Sequence, residues 1–167
     1  MNTTNQALVK AKQTTERNYE ANLTEYSSPF IAGVRYAKTI TEVLKVLRDA
    51  RKRSLSVYPI STGRNWGLGS ALPISEQNIL LNLEPMNRIR EVNPRLRYAI
   101  IEPGVTQGDL HQFLKKNHPD LIFPMTGSGI ATSIVGNMLE RGVCVRGHRY
   151  KYLLGVEAVL ADEKIIR

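Results

Sequence analysis

Apolar and polar positions along the chain alternate between the periods of strands and helices. Gly33 to Ala37 reads as a short strand. Thr39 then stands three residues before Glu42, a capping-box arrangement that opens a helix. Ile40, Val43, Leu44 and Leu47 follow at i, i+3, i+4 and i+7, which predicts one apolar stripe. The run Arg48 to Arg53 puts cations at the end of that helix, where its dipole favours them, and reads as a solvated helix end. Ser56 to Ile60 predicts a buried strand, completing a strand–helix–strand unit whose strands pack parallel and right-handed. Ile79 to Leu81 is a third buried strand. Beyond Pro85, Ile89 to Val92 and Arg97 to Glu102 flank the turn Asn93-Pro94 and predict an antiparallel hairpin.

A second helix starts at Thr106 and Asp109, turns Leu110, Phe113 and Leu114 inward, and stops at Asn117-His118-Pro119. A short helix is expected over about 133–140, capped by Thr132 or Ser133. Gly155 to Leu160 predicts a strand, and Lys164 to Arg167 begins its return. That hairpin stops within its second strand, so the domain reads as incomplete. Residues 1–28 are polar and suggest a loosely attached arm with a helix over 5–20. The fold expected is α+β in two α/β subdomains: a small parallel unit over 29–84, then a truncated antiparallel unit over 85–167.

The chemistry concentrates after the second strand, in Ser61-Thr-Gly-Arg-Asn-Trp-Gly67 with a further glycine at Gly69. Glycine admits positive φ and lets a ligand approach the backbone N–H groups. Successive N–H groups form a nest for phosphate oxygens. Ser61 and Arg64 add a hydroxyl and a charge. Locally this is equally a phosphate cradle or a structural turn. No Gly-Lys pair is present, so it is not a P-loop, and Pro73 denies the helix that a Rossmann fingerprint opens. A second glycine-rich stretch, Gly127-Ser-Gly129 with Thr132, Ser133 and Gly136, supplies hydroxyls and close backbone approach at a helix start. By its residues alone it too is balanced between a ligand segment and a capped turn.

Composition narrows the field. Among 167 residues, 42% are apolar, enough for a core. The single cysteine, Cys144, gives neither a disulfide framework nor a zinc cluster, and no metal site is expected. No stretch approaches the ~20 apolar residues of a membrane span. Met1 to Gln6 has neither basic start nor apolar core, so a cytoplasmic protein without membrane association is expected. The net charge of +8 is spread through the chain without aromatic interleaving, which argues against nucleic acid and suits an anionic cofactor. His111 and His148 read as surface histidines without a partner for acid–base work.

Three segments, in order, resemble one family. Pro59 to Gly67 is similar to the pyrophosphate loop of the vanillyl-alcohol oxidase / p-cresol methylhydroxylase flavoproteins. Ile101-Glu-Pro-Gly-Val-Thr-Gln-Gly-Asp-Leu110 is similar to their E-P-G-V-x-x-x-D-L strand–turn–helix word. Val135-Gly-Asn-Met-Leu-Glu-Arg-Gly142 with Gly155 to Val159 resembles their second cofactor segment and the strand beyond. The Gly-Arg-Asn and Gly-Asn-x-x-Glu-Arg-Gly words point to the phenol-oxidising branch.

The resemblance implies an FAD-binding domain whose cofactor lies between the subdomains. It implies that Ser61, Thr62, Gly63, Arg64 and Asn65 hold the pyrophosphate and that Pro103 lies beside the cofactor. Gly127, Ser128, Thr132, Gly136 and Asn137 would reach the pyrophosphate and flavin ring. It implies oxidation of a para-substituted phenol such as 4-cresol, with hydride passing to the flavin and oxygen or a cytochrome accepting the electrons; a homo-oligomer is compatible with it. No histidine stands in the first loop for a covalent flavin tether. Because the family is far longer than this chain, its catalytic groups remain unassigned. A catalytically inactive, truncated flavin-binding remnant is the alternative.

Overall fold

In a computed structural model, residues 31–64, 73, 75–140 and 142–167 are described. The expected arm and its helix lie outside these residues, as does the stretch from Asn65 to Gly69. The fold starts with β1 (Ile31–Tyr36), α1 (Ile40–Lys52), β2 (Ser56–Ile60) and β3 (Asn78–Asn82). These strands form a parallel three-stranded sheet in the order β1-β3-β2. β3 is buried throughout.

β2 is therefore an edge strand of this sheet, half-buried rather than buried as its β-rich composition predicts. Pro59, which has no N–H to donate, fits such an edge. The helix seam also shifts. Val43, Val46 and Ala50 are the buried positions of α1, and Ile40 and Leu47 pack beside them. Leu44 takes no part in this cluster, because the sheet meets the helix one step round from the predicted stripe. Thr39 caps the helix by accepting from Glu42 N at 3.2 Å. The Glu42 carboxylate accepts from Lys38 N rather than from Thr39, so the reciprocal box is not formed.

The chain then builds the antiparallel pair β4 (Ile89–Asn93) and β5 (Tyr98–Ile101). α2 (Gln107–Asn117) follows, and here the capping box is complete, Thr106 and Asp109 bonding reciprocally. α3 (Ile134–Leu139) is capped by Ser133. A second cluster joins Val105, Leu110, Leu114 and Ile134, with Ile89, Val92, Ile101 and Phe113 against it. Burying four such side chains contributes about 1.5–3 kcal/mol each, an upper estimate.

Three short features close the chain: the hairpin β6 (Val143–Cys144) with β7 (Gly147–His148), a 3-10 helix (Arg149–Tyr152), and the hairpin β8 (Ala158–Val159) with β9 (Ile165–Ile166). The predicted strand over Gly155 to Leu160 thus shrinks to two paired residues. The β8–β9 turn docks on α1: Glu163 accepts from Arg48 at 2.6 Å and from Arg51 at 3.2 Å. The cationic end of α1 is consequently a docking point, not only a solvated terminus. Among the described residues, no helix is long and apolar enough to cross a membrane.

Candidate functional site

The loop after β2 and the segment leading into α3 are far apart in sequence and meet in space. Thr62 is buried, and its Oγ1 accepts from the backbone N–H of Ser133 at 3.2 Å. A Cβ built on Gly136 would lie 2.5 Å from Ser61 Oγ, so the bare backbone of α3 is what admits the loop. Gly63 has φ +61°, a left-handed conformation that glycine adopts without strain. Arg64 is exposed at the rim. Asn65 lies outside the described residues.

A third segment converges on the same place. Thr106 and Ser133 form an antiparallel bridge. The first N–H groups of α2, which have no partner within the helix, are taken by this segment. Gln107 N donates to Thr132 O at 2.9 Å and Gly108 N to Ile130 O at 2.8 Å. Pro103 O accepts from Ser133 Oγ at 2.6 Å. Gly104 is required by crowding: a Cβ there would lie 2.7 Å from Met86 O and closer still to Glu84 O. Thr132 Oγ1 donates to Ser128 O at 2.5 Å, and Ser133 Oγ also accepts from Gly136 N at 3.0 Å. Both hydroxyls are thus engaged inside the protein.

The loop over 124–129 is open on one side and held on the other. A Cβ on Gly127 or Gly129 would meet nothing within 4 Å. Gly129 has φ +90°, which restricts the position to glycine. Thr126 Oγ1 and Ser128 Oγ lie 2.7 Å apart. On the inner side stand two residues that sequence reasoning missed, Gln107 and Arg149, 0% and 1% exposed. Gln107 looks like an ordinary first-turn residue, and Arg149 sits in a run of basic residues that reads as a solvated loop. Only the return of distant segments buries them. Burial pushes the Arg149 guanidinium below its ordinary range, while a negative charge on Cys144 would act the other way. His148, by contrast, is exposed as expected, and its ring stacks on Tyr150 at 5.3 Å.

Asn137 lies on α3 with Oδ1 buried and without a hydrogen-bond partner among the described residues. Gly142 closes over it, since a Cβ there would overlap the Asn137 amide. Tyr58, on β2 before the loop, is held above its ordinary value by burial and then by the Glu140 charge, so its phenol stays protonated at neutral pH. Glu102, 2% exposed, lies at the end of β5. Burial pushes its carboxyl up, but hydrogen bonds from the Arg88 side chain and backbone and from Arg90 outweigh this and hold it below the usual range. It is an anchor for β4 rather than a reacting group. No group of His, Cys, Asp or Glu suited to a metal ion occurs among the described residues.

A parallel three-stranded sheet followed by an antiparallel pair brings two glycine-rich segments together at the start of a short helix, the arrangement of a ligand-binding α+β domain. The chain belongs to the FAD binding domain family, whose family model matches residues 31–167. FAD is the cofactor of that family, which is a family of oxidoreductases with dehydrogenases among the relatives of this chain. The chain is 41% identical over 123 residues to 1'-carboxy-chondrochloren decarboxylase of Chondromyces crocatus, covering 72% of this chain and 23% of that protein. It is 32% identical over 133 residues to the flavoprotein subunit of 4-cresol dehydrogenase [hydroxylating] of Pseudomonas putida, covering 78% and 26%. The fold superposes on p-cresol methylhydroxylase with substrate bound at a TM-score of 0.82 and 29% identity, covering 89% of this chain and 30% of that one. Against 4-ethylphenol oxidase of Gulosibacter chungangensis in its isoeugenol complex the TM-score is 0.80 at 28% identity, covering 95% and 31%. The chain thus spans between 23% and 31% of the length of these relatives.

Proposed function

We propose that the chain is the FAD-binding portion of a flavin-dependent oxidoreductase that oxidises a para-substituted phenol of the 4-cresol or vanillyl-alcohol type. The observation that carries the reading is the meeting of the Ser61–Gly63 loop with the Thr132–Gly136 segment, in a fold similar to two enzymes of phenolic substrates. The relatives named for 4-cresol, p-cresol and 4-ethylphenol support the substrate class. When bound, FAD supplies an electron sink that takes a hydride from the benzylic carbon.

The residues present fit that group. Asn137 Oδ1 is a buried acceptor with no donor among the described residues, and such an atom costs free energy until it is paired. Gly63, in its left-handed turn, lets phosphate oxygens approach the backbone closely, as a nest requires. In this reading Ser61, Thr62, Gly63, Arg64 and Asn65 hold the pyrophosphate, with Arg64 countering its charge. Pro103 lines the cofactor. Gly127 and Ser128 present open backbone to the ring, Gly136 lets the first loop close on α3, and Thr132 with Asn137 completes the second segment. The three-stranded sheet, up to about residue 84, and the part from 85 onward form the two subdomains flanking the cofactor. The rest of the enzyme supplies the phenol pocket, and oxygen or a cytochrome reoxidises the flavin.

A decarboxylase is the second reading, favoured by the higher identity, 41%, to the chondrochloren enzyme. A chain extended to the length of its relatives and loaded with FAD separates the two. Anaerobic bleaching of the flavin by 4-cresol supports phenol oxidation. Release of carbon dioxide from a carboxylated phenol, with 4-cresol leaving the flavin oxidised, supports the second reading. The absence of both bleaching by 4-cresol and carbon dioxide release defeats the two together.

A further inference from the structure

Arg149 is buried, cationic and, among the described residues, without a carboxylate partner. Its Nε and Nη2 donate to Pro124 O at 3.2 and 2.6 Å, and Nη2 also donates to Gln107 Oε1. Nη1 is buried with no partner among the described residues. Gln107 is used to capacity. Its Nε2 donates to Gly129 O at 2.8 Å and Thr126 O at 3.3 Å, while Oε1 accepts from Thr126 N at 2.8 Å and Thr126 Oγ1 at 3.3 Å. The two side chains, from α2 and the 3-10 helix, therefore grip both ends of one loop that contains neither helix nor paired strand of its own beyond a single bridge at Thr126.

We infer that Gln107 and Arg149 form a latch that sets the conformation of the Pro124–Gly129 loop and so positions Gly127 and Ser128 for the cofactor. The inference rests on the FAD reading above for its second half only. Two physical arguments carry it. A buried guanidinium with an unpaired N–H is a poor way to gain stability, since an apolar side chain of similar volume is commonly as good or better. And the loop is held at Pro124, Thr126 and Gly129 by the two side chains and at Ser128 by Thr132, while the outer faces of Gly127 and Gly129 are open. A loop bonded from behind and bare in front presents a preorganised backbone, and preorganisation lowers the entropic cost of binding. Both residues act through the loop and are positioning residues.

The test is Arg149→Met in the 167-residue protein, read first by amide hydrogen exchange without cofactor. Protection at Thr126 N–H, bonded to Gln107, should fall at least tenfold. Ile134 N–H, bonded to Val105 O at 3.0 Å, should keep its protection as the internal control for folding. FAD affinity should fall about tenfold, and Arg149→Lys, which keeps the charge and one bond, should recover part of both effects. Unchanged protection at Thr126 overturns the latch. Lost protection with unchanged FAD affinity overturns its role in positioning. A wild-type chain that binds no FAD overturns the positioning half for this chain, while exchange still decides the latch. Should the methionine variant not fold, Arg149→Gln takes its place, and intact protection at Thr126 with intact affinity in it contradicts the inference.

Discussion

Gly136→Ala separates the fold from the site. The added Cβ would stand 2.5 Å from Ser61 Oγ, about 0.9 Å short of ordinary van der Waals contact. Its other neighbours, Ser133 Oγ and Cβ at 3.4 and 3.6 Å, are ordinary contacts. Gly136 lies in the first turn of α3, where alanine gains less than its advantage of about 0.8–1.0 kcal/mol in a helix interior. The clash therefore falls on the Ser61 hydroxyl, which must turn away from α3 or carry its loop off it. Thermal stability should hold or rise slightly, while FAD affinity falls about tenfold, equivalent to ~1.4 kcal/mol. Flavin fluorescence quenching measures the affinity and circular dichroism the melting. Combining Gly136→Ala with Ser61→Gly removes the obstructing hydroxymethyl and should restore most of the affinity. Unchanged affinity in the single variant would falsify the claim that loop and helix meet at the cofactor. A double variant no better than the single one would place the damage elsewhere.

Other expectations follow from neighbouring residues. Gly104→Ala forces a Cβ onto the backbone carbonyls of Glu84 and Met86 and should destabilise by about 2–3 kcal/mol, seen as a lower urea midpoint with an unchanged slope. Glu102, held below its ordinary value of 4.5 in the fold, contributes stability at neutral pH that is lost as pH falls below about 4.5 and through its folded value. Glu102→Gln should lower stability at pH 7 and flatten that acid limb, and an unaltered limb would show that other carboxylates govern it. Glu163→Gln breaks the pairs with Arg48 and Arg51, both more than half exposed, so the loss should stay under about 1 kcal/mol and shrink in high salt.

The sequence is most legible where structure is local. The cap at Thr106 and the hairpin over 89–101 depend on residues close together in the chain, and both are present. What was hidden depends on partners distant in the chain. β2 looks buried from its composition, but the strand order puts it at the sheet edge. Val46 replaces Leu44 in the seam of α1 because the sheet, not the helix, chooses the face. At the site, the glycine words and the family resemblance made the two segments visible. The reason for Gly136 became clear only when Ser61 arrived from the other segment. Arg149 is the sharpest case: its partners lie 25 and 42 residues away, and nothing in its basic surroundings distinguishes it from its exposed neighbours.

FAD titration of the 167-residue protein, followed by quenching of flavin fluorescence, tests the central claim most directly. Saturable binding of one FAD per chain, weakened by Gly63→Val because a β-branched residue resists the left-handed φ of +61°, is the result expected. A folded chain that leaves flavin fluorescence unchanged at all concentrations would contradict the claim that these two glycine segments suffice as a cradle.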